Sequence, residues 1–444
     1  MAEAQKIALI GSGISGLSAA WLLSQAHDVT VFEAEHRLGG HSHTILVPGH
    51  GTVTPVDMGF IVYNEPCYPN LTALFAHLGV TTRATEMTFA VSLDNGRLEY
   101  TGDNLDGIFL QRKNIFRKRH WVMLRDIMRF YREAPVELTT LSDETLAAYL
   151  DRRGYSVSFR EDHLYPMAAA VWSMPASTIG GYPARSFIRF CENHGLLKVT
   201  NRPQWRTVVG GSRSYVSKIS RPFADKTFKG RGVTRVTRQG DGVHLFAGEQ
   251  SLGRFDQVVL ACHADQALAM LPGATAQERR LMGAFKYSEN EAYMHSDESL
   301  MPQRRKAWSS WNYMADGNRP GSLSVSYWMN SLQHIDETNP IFVTLNPLHQ
   351  PKPESVMKHE TFMHPIFDSA AMAAQEDLWD LQGEGGVWFA GSYFGSGFHE
   401  DGLQAGLAVA EAIGGVRRPW NVADESGRIF LKPKRHLPVL MAAE

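Results

Sequence analysis

Two short stretches near opposite ends of the chain hold most of the residues whose type and spacing bear on chemistry. The first, "IALIGSGISGLSAAWLLSQAHDVTVFEAEHRLGGHSHT" over 7–44, places Gly11, Gly13 and Gly16 in GxGxxG spacing after an apolar run. Missing side chains there permit a tight turn, a close approach of backbone to a pyrophosphate, and close packing of the helix that opens with Ile14 and Ser15. Phosphate would rest on the N-terminus of that helix, where free N–H groups and the helix dipole favour anions. Glu33, with Ala34 beside it, follows at the distance expected of a carboxylate that accepts from ribose hydroxyls. Arg37 suits a phosphate, and Gly39–Gly40 let the backbone pass beside a bulky cofactor. A nicotinamide has no evident need for this second turn, so FAD is the expected cofactor.

The second stretch, "VWFAGSYFGSGFHEDGLQAGLAVAEAIG" over 387–414, reads as strand, glycine-rich loop and helix. A helix starting near Gly402 would aim its positive end at a ring that becomes anionic on reduction. Tyr393 and His399 flank this loop and are the candidate proton-handling residues, because a histidine titrates near neutrality. The alternative for His399 is a purely hydrogen-bonding role. His41 and His43 lack a third ligand at suitable spacing, so no metal is expected.

The elements that must position these groups begin with strand 7–10, helix 14–26 and strand 28–33, a βαβ unit opening an α/β domain. Residues 67–79 and 119–136 have helical apolar spacing, and "MTFAVSLDNGRLEY" over 87–100 reads as a hairpin turning at Asn95–Gly96. Short β-rich runs over 229–262 end in the apolar "QVVLAC", a return to the first domain. Strand-like runs between 270 and 380 belong to a second region. The division is therefore 1–80, 205–270 and 381–420 for a discontinuous cofactor domain, 81–204 and 271–380 for a mixed α+β substrate domain, and 421–444 for a basic tail. Tyr293, Trp308, Trp311, Tyr313, Tyr327 and Trp328 are candidates to line an apolar tunnel in the second region.

Bulk composition narrows the partners. The 444 residues exceed what one hydrophobic core usually fills, and 44 basic against 46 acidic residues leave a formal charge of −2. Nothing in that balance gathers nucleic acid. Cys67, Cys191 and Cys262 lie far apart, which suggests neither disulfides nor zinc and favours a reducing cytoplasm. The opening "MAEAQK" lacks the features of a secretory signal, and no apolar run is long enough to span a bilayer. The run "QRKNIFRKRHW" over 111–121 sets Arg112, Lys113, Arg117, Lys118, Arg119 and His120 around Ile115 and Phe116. It reads either as a solvated helix end or as a contact with an anionic membrane surface.

With both glycine-rich ends in view, the chain resembles the flavin-dependent amine oxidase and phytoene desaturase superfamily. Closer likeness runs through "VDMGFIVYNEPCYPNLTALFAHLGV", "TFAVSLDNG", "VWSMP", "FCENHGLL", "RPQWRTVVGGSRSYV" and "FHEDGLQAG". These resemble the flavoprotein domain that precedes the methyltransferase of plant cyclopropane fatty acid synthases, and its free-standing bacterial relatives linked to methylated, cyclopropane or furan fatty acids. The likeness covers about 1–415. It implies a discontinuous, Rossmann-like FAD domain with an interposed substrate domain. It also implies that His41, with Gly39 and Gly40, meets the ribityl side, that Gly59 and Phe60 approach the isoalloxazine, and that Val233 holds adenine through strand backbone. Gly391, His399, Glu400, Asp401, Gly402 and Leu403 would close over the ribityl chain and flavin pyrimidine.

The activity so implied is desaturation of a lipid acyl chain, free or in a phospholipid, most simply a methyl-branched or monounsaturated one. Double-bond isomerisation, amine oxidation with Tyr393 and Phe394 as an aromatic cage, and a non-catalytic partnership with a fatty acid methyltransferase are the rivals.

Overall fold

A computed structural model describes residues 3–49, 53–141, 144–172, 176–198, 200–317 and 323–432. The opening βαβ unit consists of strand Lys6–Ile10 (β1), helix Ile14–Leu23 (α1) and strand Asp28–Phe32 (β2). Every residue of α1 is buried, which is why its sequence is apolar all round instead of amphipathic. The helix ends three residues short of the predicted 26, where "SQAHD" turns the chain into β2.

β1 lies at the centre of a five-stranded parallel sheet in the order Thr227–Phe228, β2, β1, Gln257–Leu260, Val387–Phe389. Its strands come from three separate stretches of sequence. β2 and Thr227–Phe228 lie on one side of β1, and Gln257–Leu260 and Val387–Phe389 on the other, so the carboxyl ends of β1 and its neighbours open a crevice at a topological switch point.

The second sheet has seven strands in the order Val356–Ile366, Lys286–His295, Phe342–Leu345, Leu323–Trp328, Trp311–Ala315, Phe89–Leu93, Leu98–Thr101. The hairpin predicted at Asn95–Gly96 is present, with positive φ at Asp94, Asn95 and Gly96. Register decides which aromatic residues share a face, because neighbours across a ladder point the same way and alternate along each strand. Trp311 pairs with Phe89 and Tyr327, Tyr313 with Val91 and Val325, and the same face continues through Val343, Leu345, Ala292 and Met294 to Phe362 and His364.

The expected tunnel lining therefore divides. Trp311, Tyr313 and Tyr327 share the face of Phe362 and His364. Tyr293 and Trp328 are on the other face, where Tyr293 stacks on His359, and Trp328 meets Trp308 with the Arg305 guanidinium over both indoles. Those three are packing residues, and spacing alone had no means to separate them from the first three.

The helix expected over 119–136 runs Lys118–Glu137, and that expected over 67–79 runs Pro69–His77. Arg112–Phe116 form a short 3₁₀ turn ahead of the longer helix instead of its own end. The segment 421–444, taken from sequence as a tail, lies against the body as far as 432, together with the residues just before it. Arg418 is buried on Glu411 and Asn70, Ile429 is buried, and Trp420 stacks on Trp21 of α1. The motif "VWSMP" lies partly outside the described residues.

Candidate active site

Both glycine-rich stretches meet at the switch point. A Cβ placed on Gly16 would collide with the Gly11 carbonyl, and one on Gly11 would stand 2.5 Å from the Ala261 carbonyl oxygen, so these two glycines are closed in by backbone. Gly13 differs. It is the N-cap of α1, carries no side-chain cap, and a Cβ there would meet no atom within 4 Å. The space above the start of α1 is thus open at the position where backbone N–H groups and the dipole favour a phosphate. Glu33, just past β2, holds the other side of the turn, where its carboxylate accepts from the Ser12 N–H at 2.8 Å and the Ser12 hydroxyl at 2.6 Å.

The C-terminal helix begins at His399, three residues before the predicted start, and runs to Ile413. Its first turn lies on the first turn of α1: a Cβ on Gly402 would fall 2.8 Å from Ser15 Oγ and 2.9 Å from Ile14 Cγ2. Further along, Gly406 leaves room only for the Ser15 carbonyl and Ser18 hydroxyl. Two helix N-termini consequently converge on one crevice. Leu403 is fully buried in that contact.

The loop between carries the remaining predicted residues. Arg37 donates to the Gly40 carbonyl at 2.6 Å and pairs with Glu35, which fixes the Gly39–Gly40 turn. The Gly39 N–H donates to the Ser12 carbonyl at 3.0 Å, bringing this turn onto the phosphate turn. The Phe60 and Met58 N–H groups donate to the carbonyls of His41 and His43 at 2.9 Å each, so Gly59 has no room for a side chain beside His41. Val233 lies in the extended segment just before the strand Arg235–Gln239, not within it. That segment runs alongside 33–35, with the Arg231 N–H donating to the Glu33 carbonyl at 2.8 Å and Gly232 facing Ala34.

His399 is placed otherwise than expected of a base titrating near neutrality. Its ring stacks on Phe60 at 3.9 Å between centroids, and its Nε2 is hydrogen-bonded to the Tyr215 hydroxyl at 2.7 Å and the Ser42 hydroxyl at 3.2 Å. Burial among these groups pushes its pKa down to about 3, so it is neutral at pH 7. Tyr393 is not brought to His399. Its ring packs on Phe285 and Phe394 and against Gly391, its buried hydroxyl has no hydrogen-bond partner among the described residues, and burial raises its pKa well above the usual phenol value. The Tyr393 and Phe394 rings pack against each other, 5.1 Å between centroids and inclined by 37°.

Glu400 and Asp401 turn their carboxylates into protein. Glu400 accepts from Asn70 N and Nδ2, Leu71 N and Gln404. Asp401 accepts the N–H groups of Ser396 and Phe398 and faces Arg428 at 3.3 Å. What these two residues present toward the crevice is therefore backbone.

Several groups at the site were invisible to sequence reasoning. Asp57, buried, accepts from Thr44 Oγ1 at 2.5 Å, Ser212 N and Oγ at 3.0 and 2.7 Å, and Gln333 Nε2 at 2.9 Å, and burial still pushes its pKa up to about 6. It locks the strand that leads into Gly59 and Phe60. His41 packs on Phe362 and His364, with His263 close enough to lower its pKa further once burial has done so. Tyr215 was within a quoted motif, "RPQWRTVVGGSRSYV", but no spacing signal joins residue 215 to residue 399. Among the described residues, no group of three or more His, Cys, Asp or Glu side chains is arranged to hold a metal ion.

A family model for flavin containing amine oxidoreductases matches residues 14–414. The chain belongs to this family. Its cofactor is FAD, and the open space above Gly13, between two helix N-termini and Glu33, fits a dinucleotide pyrophosphate and ribose. AofH of Mycobacterium tuberculosis, described as a flavin-containing monoamine oxidase, is 27% identical over 254 residues, which are 53% of this chain and 52% of that protein. Polyamine oxidase 4 of rice is 36% identical over 101 residues, 22% of this chain and 20% of its own. The chain thus spans about half the length or less of the curated relatives it matches. Among solved structures, a CLA-producing fatty acid isomerase from P. acnes shares the fold with a TM-score of 0.67 at 16% identity, covering 91% of this chain and 98% of that one. Cyclohexylamine oxidase of Brevibacterium oxydans does so with 0.62 at 18% identity, over 92% and 98%. The Rossmann-like, discontinuous FAD fold with a mixed α+β region is the fold of this amine oxidoreductase family.

Proposed function

We propose that this flavoprotein oxidises a lipid acyl chain, introducing a double bond into a methyl-branched or monounsaturated fatty acyl group. The observation that carries the reading is that, among the described residues around His41, Phe60 and Phe362, the histidines are neutral and each carboxylate is already paired or hydrogen-bonded. His41, His364 and His399 are held neutral by burial, Phe60 and Phe362 line the same space, and Asp57, Glu400 and Asp401 are consumed by hydrogen bonds to protein. Glu360, near His43, pairs with Lys358 at 2.8 Å. An apolar chain is accommodated by such a wall, whereas an ammonium group finds no carboxylate free to receive it.

FAD, when bound, accepts hydride from a C–H bond. The protein's own part is to exclude water with the aromatic face of the seven-stranded sheet, and to keep the His399–Tyr215–Ser42 cluster uncharged beside Phe60. The motif resemblance to the flavoprotein domain of cyclopropane fatty acid synthases supports the acyl reading and a methyltransferase as the supplier of branched substrate. A second reading, double-bond isomerisation, is favoured by the fold shared with a fatty acid isomerase.

The test is anaerobic mixing of the yellow holoenzyme with a detergent-dispersed, methyl-branched monounsaturated lipid. Lasting loss of flavin absorbance with a product two hydrogens lighter is the expected result. A shifted double bond with the flavin oxidised at the end supports the isomerase. Bleaching by amines and by no lipid overturns the acyl reading.

A further inference from the structure

The helix Lys118–Glu137 buries Met123, Phe130 and Ala134 and exposes the opposite face. Lys118, Trp121, Arg125, Met128, Arg132 and Val136 are all exposed and follow one another at intervals of three or four residues, so they form a single stripe. Apolar and cationic side chains alternate along it. In the turns before the helix, Phe116 is 89% exposed, Leu105 74% and Ile115 40%. Trp121 donates its indole N–H to the Ile115 carbonyl at 2.7 Å, which fixes the ring at the surface. Among the described residues, Lys113, Arg117 and Lys118 make no ion pair, whereas Arg119 is held by both oxygens of Asp162 at 2.7 and 2.9 Å. Arg119, grouped with the basic run from sequence, is thus a structural residue.

We propose that this face docks the enzyme on an anionic phospholipid bilayer. A protein interface is depleted in lysine at its apolar centre. Arg125 and Arg132 pair with Asp126 and Glu133, but at the helix start Lys113, Arg117 and Lys118, which form no ion pair among the described residues, accompany the exposed Phe116 and Trp121, which matches an interfacial helix whose apolar groups enter the acyl boundary while Lys and Arg reach headgroup phosphates. The location fits as well. Trp121 packs on Phe109, Phe109 on His120, and His120 on Tyr100 of the edge strand Leu98–Thr101. Tyr100 pairs with Val91, and Val91 with Tyr313, so the patch adjoins the edge of the apolar sheet face that carries Phe362 and His364. The inference rests on the acyl-chain reading for the source of substrate, not for the contact itself.

Sedimentation of holoenzyme with vesicles of equimolar phosphatidylglycerol and phosphatidylcholine, against pure phosphatidylcholine, tests the contact without turnover. The wild type is expected to partition to the anionic vesicles and to release in high salt. Lys113→Glu with Lys118→Glu should weaken partition by about fivefold or more per cation removed. Leu105→Ser with Phe116→Ser should weaken it too, with flavin content unchanged in both double variants. Equal binding of wild type and variants, equal binding to neutral vesicles, or no binding at low salt overturns the proposal. So does a concentration-dependent dimer abolished by Phe116→Ser in a protein that ignores vesicles. Failure of the acyl-chain reading is recognised separately, by flavin that detergent-dispersed lipid does not bleach.

Discussion

At the scale of single residues, burial sets the chemistry of His399 more strongly than its residue type. A group with a pKa near 3 is a weak base, and its Nε2 is already engaged by the Tyr215 and Ser42 hydroxyls. His399→Gln should retain FAD and reduce the rate of flavin bleaching by less than about tenfold. A fall of roughly 10²–10⁴ in single-turnover stopped flow, the span of a general acid–base residue, would restore His399 as the base. Arg428 raises a different matter. It is the cation facing the buried Asp401 carboxylate, whose pKa burial pushes up. Arg428→Met should destabilise the protein by about 3–5 kcal/mol in urea unfolding, because it strands a buried charge. A loss under about 1 kcal/mol would mean that the Ser396 and Phe398 N–H groups suffice for Asp401.

At the scale of elements, the two helices that meet over the phosphate turn separate two kinds of glycine. Gly13 faces open space and Gly406 faces the Ser15 carbonyl, so the same substitution has different consequences. Gly13→Val should give folded, colourless protein with the thermal transition of the apoenzyme. Gly406→Val should push the C-terminal helix off α1, with loss of soluble protein or of several kcal/mol, within the overpacking range of about 1–3 kcal/mol or beyond it. Circular dichroism and flavin absorbance of the purified variants decide the matter. A yellow Gly13→Val protein would displace the pyrophosphate from this turn. The strap 416–432 acts on the same helix from outside, through Arg418 on Glu411 and Arg428 on Asp401.

At the scale of the whole molecule, buried neutral histidines dominate the acid side of the stability curve. Burial lowers His43, His163, His295 and His364 to about 4 and His194 and His399 to about 3, all from an ordinary 6.5. Between pH 6.5 and about 4 the unfolded chain therefore binds protons that the folded chain refuses, and stability falls as pH falls. Asp57, raised to about 6, works in the opposite sense, since the folded state accepts its proton first. Asp103, Glu400 and Asp401, whose carboxyls burial also raises, act in the same sense as Asp57, so six histidines stand against four carboxylates. Urea unfolding from pH 7 to 5 should show stability dropping more steeply than the single-proton slope of about 1.4 kcal/mol per pH unit. A flat or rising profile would refute the burial of these rings.

Sequence by itself determined the parts whose physics is local. The turn at Gly11, Gly13 and Gly16, the carboxylate at Glu33 and the hairpin at Asn95–Gly96 depend on backbone freedom and spacing within a few dozen residues, so they were legible before any fold was known. The periodicity of 118–137 was legible for the same reason. Only the tertiary structure decided which distant groups share a dielectric and a partner. His399 and Tyr215 meet across 184 positions, Asp57 and Gln333 across 276, and Asn70 and Glu400 across 330. Register, which no single strand encodes, sent Tyr313 to one face of the sheet and Tyr293 to the other. Protonation followed from both, because a side chain's pKa depends on what surrounds it in space and hardly at all on what precedes it in the chain.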